Sequence, residues 1–139
     1  MNHVIIYTND LGGVSVCIPT GELPIEQVQA KDIPAGKESF IVRADSLPEN
    51  DNDFFDAWEQ TRGVVTVNIA KAREITKARL RAERAPLLAA QDVLFQRALE
   101  TGADTSAIVA EKKRLRDVTT LADARATLDD LRALRVTGA

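Results

Sequence analysis

The residue types that most often serve as catalytic base and thiol nucleophile occur once each, as His3 and Cys17. His3 has no second histidine to join it, and with Cys17 as the single thiol an ordinary zinc ligand set is lacking. His3 reads as a solvated residue. Ser15 and Cys17 have no base near them in sequence to activate them. Gly12-Gly13 lacks the lysine and the further glycine of a phosphate-cradling loop, and a hairpin turn accounts for the pair better. Asp51, Asp53 and Asp56, with Glu49 and Glu59, are oxygen ligands of the kind calcium takes. Yet Asp51-Asn52-Asp53-Phe54-Phe55-Asp56 has neither the glycine nor the distal glutamate of an EF-hand loop. Acids gathered at a helix N-terminus, where the dipole favours them, are the simpler reading. The expectation is no catalytic residue, no metal, no cofactor, and not an enzyme.

Charge and apolar pattern remain. The net charge of −3 hides an asymmetry: residues 1–60 carry three cations against eleven anions, and residues 61–139 carry fifteen against ten. Lys71, Arg73, Lys77, Arg79, Arg81 and Arg84 put six cations against two anions between residues 69 and 84. Such clusters bind phosphates. An acidic pI of about 5.2 and the lack of aromatic residues among these cations disfavour nucleic acid. A solvated helix surface ranks first, an acidic protein partner second and nucleic acid third.

The elements that position these residues follow from periodicity. Val4-Ile5-Ile6-Tyr7 and Val14-Ser15-Val16-Cys17-Ile18 are β-branched runs around Asn9-Asp10-Leu11-Gly12-Gly13, which predicts a hairpin. Pro24 to Ala30 predicts a short helix, Ser39 to Arg43 a third strand. The acidic loop Leu47 to Asp53 leads into a helix carrying Phe54, Phe55 and Trp58, with Phe54 and Trp58 on one face. Gly63 to Val67 predicts a last strand, giving a β-β-α-β-α-β order. Asn68 caps a helix from Ile69. Pro86 either kinks that helix or starts another. Leu87, Ala90, Leu94 and Ala98 form its apolar stripe, and Gly102 stops it. A further helix starts at Asp104 or Thr105 and carries Ile108 and Leu115. Thr120, with Asp123 three residues on, predicts the cap of the last helix, which carries Leu121, Leu128, Leu131 and Leu134.

The fold expected is α+β: a small β-rich head over residues 1–67, then an α-helical hairpin or coiled-coil-like half over 68–139. At 139 residues this is one domain or two small lobes. With 45% apolar residues the chain can build a core, which excludes wholesale disorder. No apolar run approaches the roughly 20 residues of a membrane helix. The N-terminus has no basic start and no signal-peptide pattern. A single cysteine precludes an internal disulfide, which fits a reducing cytosol. The helical half holds more apolar stripe than the head covers. Leu80, Leu87 and Leu94 are therefore the expected partner contacts, with Arg73, Arg79 and Arg84 setting orientation.

Two stretches resemble a known group. Val4 to Asn9, Gly13 to Val16, Ala30-Lys31-Asp32-Ile33-Pro34-Ala35-Gly36, Ile41-Val42 and Asp56-Ala57-Trp58-Glu59 resemble small proteins encoded among the tail genes of tailed bacteriophages. Ala72-Arg73-Glu74, Arg79-Leu80-Arg81, Arg84-Ala85-Pro86-Leu87, Gln91-Asp92 and Lys113 to Val118 look like their helical tail. This half is more loosely similar to the helical end of tail-fibre assembly chaperones. The chaperones' aromatic-rich ending is missing at Val136-Thr137-Gly138-Ala139. The resemblance implies a phage tail-associated protein that binds a tail or tail-fibre protein during assembly in the host cytoplasm. A permanent virion component at the tail tip or fibre, as a homo-oligomer, is the alternative. An inhibitor of a host defence protein, with Asp45, Glu49, Asp51 and Asp53 as an acidic patch, is a further one.

Overall fold

The computed structural model describes residues 2–137, an α+β chain that divides into two compact units after Ala72. In the first unit β1 (His3–Thr8) is the middle strand of a three-stranded antiparallel sheet, between β2 (Val14–Cys17) and β3 (Ser39–Arg43). The β1–β2 turn is built by Asn9. Its side-chain oxygen accepts from the Leu11 and Gly13 amides at 3.0 and 3.1 Å, and its own amide donates to the Gly13 carbonyl at 2.9 Å. A short polar side chain that satisfies the backbone of its own loop is why Asn starts such turns.

Alternation gives the sheet two covered faces. Val4 and Ile6 point to one side, where they join Val14 and Trp58 in the core, ringed by Phe40, Val42 and Val65 among others. Ile5 points to the other side, fully enclosed, where α1 (Ile25–Asp32) packs against β1. Gln29 of α1 donates to the Ser39 hydroxyl at 2.9 Å and anchors the helix to the start of β3.

The aromatic segment differs from its sequence reading. Residues Glu49–Ala57 form 3₁₀ turns with a kink, and Trp58 opens a strand, β4 (Trp58–Thr61). β4 pairs with β5 (Val64–Val67) through a two-residue turn, Arg62-Gly63, with φ of 51° and 84°. Both residues are left-handed, the geometry that matches strand twist in tight hairpins. Any Cβ at position 63 would also sit 3.3 Å from the Phe40 side chain. Phe54 and Trp58 thus do not share a helix face. Phe55 and Trp58 meet instead, ring centroids 4.8 Å apart.

Asn68 caps α2 (Ile69–Thr101), its side-chain oxygen accepting from the Lys71 amide at 3.1 Å. The helix runs unbroken through Pro86 for 33 residues, about 50 Å at 1.5 Å per residue. It ends as Gly102 adopts φ 69°, with the Ala103 amide reaching the Ala98 carbonyl and the Gly102 amide the Leu99 carbonyl. This Schellman pattern satisfies carbonyls that the helix end would leave bare. α3 (Ser106–Asp117) returns beside α2, so the second unit contains a helical hairpin.

The last helix departs from expectation. Residues Val118–Ala124 are 3₁₀, and the Thr120 hydroxyl donates backward to the Asp117 carbonyl rather than capping anything ahead. The cap is Thr127, whose hydroxyl accepts from the Asp130 amide at 3.1 Å and starts α4 (Leu128–Ala133). Leu131 and Leu134 are buried as their spacing suggested, while Leu121 stays exposed.

Candidate functional site

The residues expected to meet a partner lie in the second unit and separate into two sets. Arg73, Arg79 and Arg84 are occupied internally. Arg73 donates through Nε and Nη2 to the Arg125 carbonyl at 3.0 and 2.9 Å. Arg79 Nη2 donates to the Leu131 carbonyl at 3.0 Å, while its Nη1 pairs with Glu83 at the same distance. Arg84 Nη1 donates to the Arg116 carbonyl at 2.7 Å, at the C-terminal end of α3. A carbonyl oxygen has two lone pairs, and near helix ends a planar guanidinium fills those the backbone leaves open. Three side chains along one helix thus stitch residues 115–131 onto α2.

Leu80 belongs with them. It is fully enclosed, as are Leu115 and Leu131, so it has no surface to present. Glu83 completes the seam. Its carboxylate accepts from the Val136 amide at 3.2 Å and meets Arg79 and Arg135 at 3.0 and 3.5 Å. Burial by itself would raise its pKa. The Val136 hydrogen bond and the arginines outweigh that and hold it below the usual 4.5.

A lowered folded-state pKa gives stability that is complete above the unfolded value and is lost as pH falls through the folded one. Glu83→Gln should therefore cost about 1–2 kcal/mol at pH 7, a modest figure because the side chain is 32% exposed. Urea midpoints of wild type and variant should converge as pH falls through the lowered folded-state pKa of Glu83, below which both side chains are neutral. A gap that persists in acid would show that the carboxylate charge is not what matters.

Leu87 and Leu94 form the second set, 36% and 44% exposed. The face of α2 turned inward along this stretch is Leu88, Gln91, Phe95 and Ala98, half-buried or buried. Lys112 of α3 fastens there, pairing with Asp92 at 2.6 Å and lying 5.0 Å from the Phe95 ring centre. One residue along a helix turns the side chain by about 100°. The inward stripe is thus rotated from the expected one, and Leu87, Ala90 and Leu94 are left outward. Val93, Leu99 and Val109 are further exposed apolar residues of the two helices. The part of the hairpin over residues 85–110 is also poorly charged, with one cation and three anions.

The basic run is largely consumed by the fold. Lys71 sits 3.9 Å from Glu59, and Lys77 bridges Asp123 at 2.7 Å and Glu74 at 3.4 Å. The Asp123 partner, with Glu74, raises the Lys77 pKa against a smaller opposing effect of burial. Arg81 is exposed. In the first unit His3 lies exposed at the start of β1, opposite Arg43, and the Ser15 hydroxyl accepts from Asn9 at 3.1 Å. Among the described residues no three His, Cys, Asp or Glu side chains converge as a metal site. No helix among them is long and apolar enough to cross a membrane.

Neither family models, nor curated proteins, nor solved structures yield a match to this chain.

Proposed function

We propose that this chain is a phage tail-associated protein that binds a tail or tail-fibre protein through its helical hairpin, as an assembly chaperone. The observation that carries the binding role is the exposed stripe Leu87, Ala90 and Leu94 on one face of α2. Exposed apolar side chains on one helix face are commonly recognised as i, i+3, i+7 anchors. The phage setting rests on the resemblance of the head and helical tail to tail-region proteins. Arg73, Arg79 and Arg84 take no part in this reading, because their donors serve the fold. The partner surface that fits is an apolar helix or strand face with few charges.

Co-expression with the protein of the neighbouring tail-fibre gene should give a co-purifying complex and more soluble fibre protein. Leu87→Asp with Leu94→Asp should abolish co-purification and leave the thermal midpoint within a few degrees, since both sites are exposed. A wild-type chain that neither associates nor improves solubility would sink the proposal. Mass spectrometry of purified particles separates the chaperone, absent from them, from the permanent virion component.

A further inference from the structure

We infer that the first unit holds a docking cleft of its own, which takes one large apolar side chain from a Lys- or Arg-rich segment of another protein. The cleft lies wholly in that unit and is independent of the hairpin stripe.

It follows from how one sheet face is covered. Val4, Ile6 and Val14 are buried on that face together with Trp58, while Val16 and Leu47, packed against them, are half-buried. The cover stops short there and leaves a cleft of about 370 Å³. Val16 and Ile18 line it on the β2 side, Leu47, Phe55 and Trp58 on the other. The Phe55 and Trp58 rings, inclined at 57°, form a corner. Ile18 is 75% exposed and Phe55 36%, so apolar side chains stand open around the cleft. Pockets that take ligands run from about 300 to 1,000 Å³ and are lined mostly by apolar and aromatic groups. At the lower end of that range, the space suits a single bulky side chain. One anchor seated in such a pocket can carry a large share of a binding energy.

Charge describes the rest of the occupant. Glu49 and Asn52 are the polar residues of the lining, which holds no cation. Residues 44–61 supply five of the seven lining residues and carry six acids with no Lys or Arg. Asp45 is tied to Arg43, and Glu59 lies near Lys71. Among the described residues Glu49 and Asp56 form no ion pair, and both are exposed, one in the lining and one next to Phe55. An acidic segment would set like charges against these two, so the anchor comes flanked by cations. Opposite charge around the contact speeds encounter and is screened by salt.

The test titrates the full chain, ¹⁵N-labelled, with a blocked pentapeptide that places phenylalanine between two pairs of lysines. One control replaces the phenylalanine by alanine, the other replaces the lysines by glutamates. The first peptide should shift the Val16, Ile18, Leu47 and Phe55 amide signals and the Trp58 indole N–H, with a dissociation constant of about 1 mM or tighter. Both controls should bind at least about tenfold more weakly. Ile18→Ser removes an apolar wall at an exposed position. Its thermal midpoint should stay within a few degrees while affinity falls at least about threefold. Glu49→Gln should weaken binding about twofold and flatten its dependence on salt. No shifts at several millimolar peptide would overturn the inference, as would wild-type affinity in both variants. So would equal binding of the alanine peptide, which would leave charge alone, or of the acidic one, which would remove the charge preference. Shifts at the cleft that grow with protein concentration before any peptide is added would also overturn it, making a second copy the occupant.

Discussion

Leu80→Ala lowers the unfolding free energy of the helical unit by about 3–4 kcal/mol. Leu80 is fully enclosed, on the half of α2 that residues 115–136 close over. Truncation leaves a void that the neighbouring carbonyl-bonded arginines hold open, because Arg79 and Arg84 tie the covering segment in place. A well-braced cavity relaxes little, and that favours the upper part of the usual range. Leu94→Ala is the control. Nearly half exposed, Leu94 should cost under about 1 kcal/mol. Amide exchange of α2 residues near position 80, read in both variants, measures the two costs directly. Equal losses would mean that the enclosed position of Leu80 is wrong.

The head has its counterpart in Trp58. Trp58→Ala should destabilise the first unit by about 3–5 kcal/mol. The indole is 3% exposed among Val4, Ile6 and Val14, stacks obliquely with Phe55, and donates from Nε1 to the Asp51 carbonyl at 3.2 Å. Trp58→Phe keeps most of the apolar contact and loses that donor, so about 1–2 kcal/mol is expected. Because Trp58 is the chain's one tryptophan, its own fluorescence cannot report on the variants. Exchange of the β1 amides can. If the alanine variant protects β1 as well as wild type does, the core is not centred on this ring.

Local signals that act within a few residues were legible. Asn9 and Gly13 announced the first hairpin, Asn68 the start of α2, Gly102 its end, and all three act through their own neighbours. Where two segments offered the same local signal, sequence could not rank them. Thr120 and Thr127 each precede an aspartate by three residues, and packing selected the second. The apolar positions of α2 posed the same problem. Leu87 with Leu94 and Leu88 with Phe95 are both seven apart, and it is the second pair, beside Lys112 of α3, that faces inward. The β4–β5 hairpin was hidden because Arg62-Gly63 is less telling than Asn-Gly and because Trp58 suited a helix face. The arginines were read as outward charges. Their role as donors to carbonyls some 50 residues away carries no periodic signature.

Those long-range ties also set an order of events during synthesis. Arg73 waits for residue 125, Arg79 for residue 131 and Glu83 for residue 136, in each case 52 or 53 positions later. At about 5–20 residues per second, the first half of α2 spends roughly 3–10 s on the ribosome before its cover exists. During that interval Leu80 is as bare as Leu94. The nascent chain thus shows a broad oily helix flank whose lower half is temporary and whose upper half persists.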